Sequence, residues 1–586
     1  MKKISNYWFI ILALTMIMAC SKGGEELDDL IPPSKPSTPS VSITMQQDSI
    51  ENLERKALVA FFKATGGDNW TNKENWCSDK PLKEWYGVSV NSRVSLIMLP
   101  NNNLSGQIPN DIGVLGDLAT LDLSGNKIEG AIPDSICNLK KLRYVRLNDN
   151  RLSGRLPQNL GDMVALESFN ISNYSVGPEG GSVGFDDKLS YANQIEGEIP
   201  ESIVKLSRLK DFSAIENKLS GNIPDGIWSI PSLMSLILDG NMLSGTLSTQ
   251  IGNAKNLKQL WLRNNHFTGG IPEEICEAIN LQELYLGNTN SGPLGDYTIY
   301  QYNKYDGSIP ENIGKLTNLK ELNMSTCGLK GVIPSSLYSL ANLNSLSLGN
   351  AGGDWSESFE GNEFIDMDIN LSAKISQYYN HISGTLSKDI ERMVNLQSLD
   401  LAANKLEGSI PKELGNLRNL HGLFLGCNKI SGTIPAELGN LHNLHYLFLN
   451  ENQLEGVIPP ELGNLQNLQS LYLNTNELEG AIPIEFGNLA NLENLILCYN
   501  QLTGTLPKEL ANLQKLVNLS LEYNNIEGSI PKEFSDLENL NVFLLHNNRM
   551  SGVIPSEIIS SSKWCASCWN PEETIIPQQE GYGFDL

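Results

Sequence analysis

Four groups of residues in this chain have the types that exchange protons, attack carbon or hold metal. Cys565-x-x-Cys568 has the spacing of a redox pair, of half a zinc site or of a local disulfide. Zinc would need a second pair, and no βαβ pattern of the thioredoxin kind surrounds the two cysteines, so in an exported chain they read as a disulfide or two thiols. Gly180-Gly181-Ser182-Val183-Gly184 satisfies G-x-S-x-G, the turn that presents a nucleophilic serine. That turn requires a strand before it and a helix after it, and a glycine-rich loop offers neither. His421 and His445, with His442 nearby, could face one another as a metal pair, but no carboxylate or thiol is placed to complete it. The 67 acidic residues supply many accidental pairs of carboxylates, none at a spacing that names a reaction. The expectation is a binding protein and not an enzyme, with no catalytic residue, metal or cofactor.

Residues suited to recognition are more orderly. Ile237, Trp261 and Tyr285 follow one another at a fixed place in three successive repeats, and Phe424, Phe448, Tyr472 and Ile496 do so in four later ones. That place points outward from a sheet, where polar residues are the rule, and exposed apolar stripes mark interaction sites. Cross-strand stacking that only stiffens the sheet is the alternative. Three insertions, near 175–192, 289–302 and 351–379, carry further aromatics, among them Tyr300, Tyr302, Trp355 and Phe359, mixed with aspartates. All three break the repeat at the same point, so they should emerge along one rim. The candidate ligand-binding residues are therefore Trp261, Tyr285, Phe424, Phe448, Tyr472, Tyr300, Tyr302, Trp355 and Phe359.

The element that positions them is a repeat. The frame L-x-x-L-x-L-x-x-N-x-L-x-G-x-I-P returns every 24 residues, placing asparagine at 404, 428, 452, 476, 500, 524 and 548, and earlier at 102, 126, 150, 217, 241 and 265, with Cys327 in the same slot. With three interrupted copies there are seventeen. In Leu420-x-x-Leu423-x-Leu425 the leucines of a short strand point one way, and one repeat alone cannot bury them. Asn428 stands at the following turn, where its amide can serve backbone groups of adjacent layers. Gly432 permits a positive-φ bend, Ile434-Pro435 ends local pairing, and Ala436 to Leu444 crosses the other side.

G-x-I-P after L-x-x-L-x-L-x-x-N-x-L resembles the plant-specific class of leucine-rich repeats, found in receptor-kinase ectodomains and polygalacturonase-inhibiting proteins, over roughly residues 94–560. Ser248 and Ser387 depart from it in place of proline. The resemblance implies an α/β repeat solenoid, a right-handed curved superhelix with a concave parallel β-sheet. Asp48 to Ala64 has helical apolar spacing and is followed by Trp70, Trp76-Cys77 and Trp85-Tyr86-Gly87-Val88, similar to that family's N-terminal cap over 48–93. Residues 561–586, with Trp564-Cys565 and Cys568-Trp569, read as the opposite cap and a short polar tail.

At the start, Lys2 and Lys3, the apolar run Tyr7 to Ala19 and a small residue before Cys20 have the order of a secretory signal over 1–19. Ile17-Met18-Ala19-Cys20 resembles the lipobox of bacterial lipoproteins, with Met18 replacing the usual small residue, which implies lipidation of Cys20. Residues 20–47, acidic and then proline-rich, read as a disordered tether, and the acidic stretch behind Cys20 resembles the export signal of Bacteroidetes surface lipoproteins. The expected location is the cell surface, lipid-anchored in the outer membrane. A net charge of −25 repels phosphate backbones, so no nucleic-acid partner is expected. A protein ligand, as for an adhesin or interaction module, is the favoured partner, with a cell-wall glycan as the alternative.

Overall fold

The computed structural model describes residues 41–174, 192–288, 302–350, 378–559, 578–579 and 583–585. The chain divides into two units, Met1–Asn52 and Leu53–Leu586. In the first, the described backbone is helical from Val41, as part of the helix Val41–Ala64, which therefore begins seven residues inside the stretch read as tether. The proline run ends at Pro39, and nothing in 41–47 breaks a helix. No helix among the described residues is long and apolar enough to cross a membrane.

The second unit is the repeat array. Three-residue strands such as Ser235–Ile237, Gln259–Trp261 and Glu283–Tyr285 lie parallel and in register, Leu236 beside Leu260 beside Leu284. They belong to an eighteen-stranded sheet. One member, Val88–Asn91, comes from the cap and pairs antiparallel with Arg93–Met98, which leaves seventeen strands for seventeen repeats. The leucines of the frame face inward: Leu420, Leu423 and Leu425 are wholly buried, as are their counterparts one period on.

In each uninterrupted repeat the chain turns after its strand, with the residue before the asparagine in the left-handed region, as Cys427 and Glu451 are at φ 56 and 52. The asparagine side chain then ties its own layer to the one before it. Asn452 donates from Nδ2 to the carbonyls of Leu425, Leu449 and Asn450, at 3.0, 3.2 and 3.2 Å, and accepts from the Ile430 amide at 3.0 Å. Without it these carbonyls and that amide would lose their partners inside the stack. On the opposite side, the segment after the proline forms a short 3-10 helix, Ala436–Asn440. A second asparagine series runs there, with Asn443 donating to the Arg418 carbonyl and Asn467 to that of His442.

Two features go beyond the single concave sheet expected. The residues after each ladder asparagine, such as Lys429–Gly432, form short strands of their own, gathered into sheets of eight, seven and three. Gly432 ends its strand at φ 74, a turn that glycine makes without strain. The tail also does more than trail away. Gln578 accepts from the Met550 amide and donates to the Leu545 carbonyl, the bonds a next ladder asparagine would make, while Gly583–Asp585 pairs with Arg549–Val553. At the other end, Asn102 exchanges bonds with the backbone of Asn72 in the cap. Both exposed ends of the ladder are thus closed by amides.

The three insertions share one base. Asn173, Asn288 and Asn350 stand before them, and Asn193, Asn303 and Asn380 resume the ladder after them. In each case the first asparagine accepts from the backbone amide of the second and donates to its carbonyl. The same Nδ2 reaches a carbonyl of the next layer, Glu216, Thr326 or Ala403. In an uninterrupted repeat a backbone amide makes that bond, as Asn428 does to Glu451. A side-chain amide therefore replaces the peptide that the insertion removes, and the stack continues without a gap.

Candidate binding surface

Trp261 and Tyr285 lie side by side on the long sheet, register partners in adjacent strands, with ring centroids 5.0 Å apart and planes 28° from parallel. Both are half-buried. Every polar edge is held. The Trp261 indole N–H donates to Glu283 Oε2 at 2.9 Å, which also accepts from Gln259 at 2.9 Å, and the Tyr285 hydroxyl donates to Glu321. Burial, with Glu321 alongside, pushes the Glu283 carboxyl up from its ordinary range and the Tyr285 phenol likewise. Arg263 lies over both rings, its guanidinium carbon 4.5 Å from Tyr285 and 5.5 Å from Trp261. It is anchored by a salt bridge of 2.7 Å to Asp239, whose carboxyl burial pushes up. Two aromatic rings and a guanidinium locked by carboxylates form a rigid patch, the kind that loses little entropy when a partner covers it.

The later run behaves differently, and this corrects the expectation for two of its members. Phe448 is only 3% exposed and Phe424 only 9%, so neither faces solvent. They form a small cluster of their own with Ala402, flanked by Tyr446 and Tyr472. Phe448 stacks on Tyr472 at 4.4 Å and meets Phe424 edge-on at 5.2 Å. A strand spacing near 4.8 Å brings rings in adjacent repeats within contact, stacked or edge-on, so that they shield one another from solvent. Tyr472 is half-buried, and burial pushes its phenol up to about 12.

Tyr302 is a second correction: it is buried and not presented on the rim, its ring 5.0 Å from that of Tyr378. The ends of the second and third insertions therefore meet through Tyr302 and Tyr378. Tyr300, Trp355, Phe359, Cys20, Cys565, Cys568 and the G-x-S-x-G loop lie outside the described residues. Because Asn288 follows Tyr285 by three residues, the second insertion leaves the stack beside the Trp261–Tyr285 patch.

Elsewhere the same column is polar. Three positions before that column in the fourth repeat, burial raises the Glu167 carboxyl, but hydrogen bonds from Lys210 and Arg143 outweigh it and hold the group below its usual range. Between the two aromatic runs sits Asp400, buried, accepting from the Ala402 amide and the Ser347 hydroxyl at 3.0 and 3.1 Å, its carboxyl pushed by burial to about 6. The rings of His421 and His445 stack at 5.5 Å. Burial pushes the thiols of Cys137, Cys276, Cys427 and Cys498 up to about 11 or 12, so none of these four is a thiolate at neutral pH.

Residues 423–562 match the family described as leucine-rich repeat region, and residues 117–139, 141–163, 256–278, 318–340 and 395–417 match that described as leucine rich repeat. Among solved structures, the plant peptide hormone receptor RGFR1 in complex with RGF2 is 32% identical, with a TM-score of 0.67 over 82% of this chain and 70% of that one. The chain belongs to the leucine-rich-repeat family. The Arabidopsis receptor kinase HAESA, in complex with the peptide hormone IDA and the co-receptor SERK1, is 25% identical, with a TM-score of 0.52 over 87% of this chain and 92% of that one. A leucine-rich-repeat protein of Leptospira interrogans is 28% identical, with a TM-score of 0.51 over 76% of this chain and 93% of its own. No curated protein sequence matches the chain.

Within this leucine-rich-repeat solenoid, sequence reasoning passed over the groups that fix the patch. Glu283, Glu321 and Gln259 occupy the strand position two before the aromatic column, and Asp239 and Arg263 the position two after it. Reading those flanking columns alongside the central one would have shown carboxylates beside Trp261 and Tyr285 and glycines, Gly422 and Gly426, beside Phe424.

Proposed function

We propose that this chain is a non-enzymatic, surface-anchored binding protein that recognises a protein or peptide partner on the long-sheet face at Trp261 and Tyr285, with the rim insertions framing the contact. The observation that carries this reading is the Trp261–Tyr285–Arg263 patch, whose polar edges are already satisfied within the chain. Binding energy at interfaces concentrates in Trp, Tyr and Arg side chains packed in this way. Two similar solved structures carry peptide ligands on the same fold, RGF2 and IDA. Anchoring rests on the signal-like start and Cys20, which would hold the chain on the outer membrane.

The test is a selection of displayed random peptides on the full chain, counter-screened on Trp261→Ala. Enriched peptides that lose the variant support the reading; enriched peptides that bind both equally contradict it. For the anchor, Cys20→Ala should abolish palmitate labelling, and undiminished labelling would overturn that assignment.

A further inference from the structure

In each uninterrupted repeat the residue before the ladder position adopts a left-handed backbone; Asn101, Gly125, Asp149, Gly240, Asn264 and Asn547 are types that such a backbone prefers, while Glu216, Thr326, Ala403, Cys427, Glu451 and Thr475 are not. Tyr499 and Tyr523 are the two aromatic residues among them, in consecutive repeats, both at φ 55. The repeat imposes this backbone on whatever residue stands there, so the backbone does not account for the choice of two tyrosines. Neither tyrosine serves the core. They are 50% and 42% exposed, and their rings stack at 4.3 Å and 11°.

The stack is closed at one end and open at the other. His546 meets Tyr523 edge-on at 5.3 Å and 79°. On the other side of Tyr499 the next slot holds Thr475, small and exposed, placed there by the bond from the Asn476 amide to the Tyr499 carbonyl. Thr475 is too short to fill the place over Tyr499 that a ring occupies in the next two repeats. Its rim is polar: Asn474 Nδ2 donates to Thr475 Oγ1 at 3.4 Å, and Glu451 is exposed in the slot beyond.

We propose that Tyr499 and Tyr523 are a carbohydrate platform, separate from the Trp261 patch, that takes a neutral pyranose ring on the free face of Tyr499. The negative π face attracts the polarised C–H groups of a sugar, while the amide, hydroxyl and carboxylate beside it match sugar hydroxyls. An aromatic side chain in that space would leave these polar groups covered and unbonded. Glu451 and the net charge of −25 repel uronates and sulfated sugars.

The test is saturation-transfer NMR on the full chain with neutral oligosaccharides of glucose, mannose and galactose, with uronate oligomers, and with an aromatic tripeptide. The expected result is transfer to a neutral oligosaccharide and none to the uronates or the tripeptide. Tyr499→Phe should keep it, and Tyr499→Gly should weaken it at least tenfold while melting no lower than the parent, since glycine accepts φ 55 freely. No transfer to any neutral sugar, transfer to the tripeptide instead, or Tyr499→Gly binding as the parent does would each overturn the proposal.

Discussion

Trp261 with Tyr285, and Phe424 with Phe448 and Tyr472, hold the same place in their repeats and pack against their neighbours, yet one pair stays half-open and the other run closes over itself. The cause lies in the flanking columns. Indole and phenol carry polar hydrogens that need acceptors, and Glu283 and Glu321 supply them from the sheet surface, where Arg263 also lies across the rings. Phenylalanine has no such handle. Beside Phe424 the flank is Gly422, where a Cβ would sit 2.6 Å from the ring, so the ring edge takes the space a side chain would fill. A column of aromatics on a sheet is thus a binding surface or a satellite core depending on what stands next to it.

The largest break in this comparison should come from Phe448→Ala. A buried phenylalanine removed from a packed cluster costs about 3–5 kcal/mol, so chemical denaturation should show a clear loss of stability. Asp400→Asn should act in the opposite direction, because Asp400 adjoins Phe424 in the sheet and its carboxyl is raised from 3.8 to about 6. Above pH 6 the parent carries a buried charge that the unfolded chain holds in water, and this costs up to about 3 kcal/mol. Below pH 3.8 both states are protonated and the cost vanishes. The variant should therefore be more stable at pH 8, with the advantage shrinking between pH 6 and 4; a gain independent of pH would contradict the assignment.

The asparagine ladder should be indifferent to which aromatic run lies above it. Asn265→Ala and Asn452→Ala each strand the same set of backbone groups, and each should lose about 1–3 kcal/mol, against no measurable change for Asn570→Ala in the tail. A smaller effect, about 1 kcal/mol, is expected from Gly422→Ala, which would push the Phe424 ring outward. Greater binding of an apolar dye by this variant than by the parent is the readout.

Much of this was legible in the sequence because the repeat copies its reasons. The period, the inward leucines, the asparagine slot and the shared entry point of the insertions all follow from one 24-residue frame. What escaped was set by contacts between copies. The burial of Phe448 depends on rings one period either side, and that of Tyr302 on Tyr378, which a different insertion supplies. The asparagine clasps were visible as Asn173, Asn288 and Asn350 at the three points of departure, but their meaning required seeing a side-chain amide stand in for a peptide. Gln578 gave no periodic signal, since its chain arrives at the last ladder position from outside the frame.

The most direct test is the dissociation constant of a peptide selected on the parent chain, measured with Trp261→Ala and Phe448→Ala side by side. The account predicts that Trp261→Ala weakens binding about 30-fold or more, a loss of roughly 2 kcal/mol, while its stability stays within about 1 kcal/mol of the parent. Phe448→Ala should show the reverse, reduced stability with the affinity kept. An unchanged dissociation constant for Trp261→Ala would contradict the claim that the half-open pair, and not the closed run, is the surface that binds.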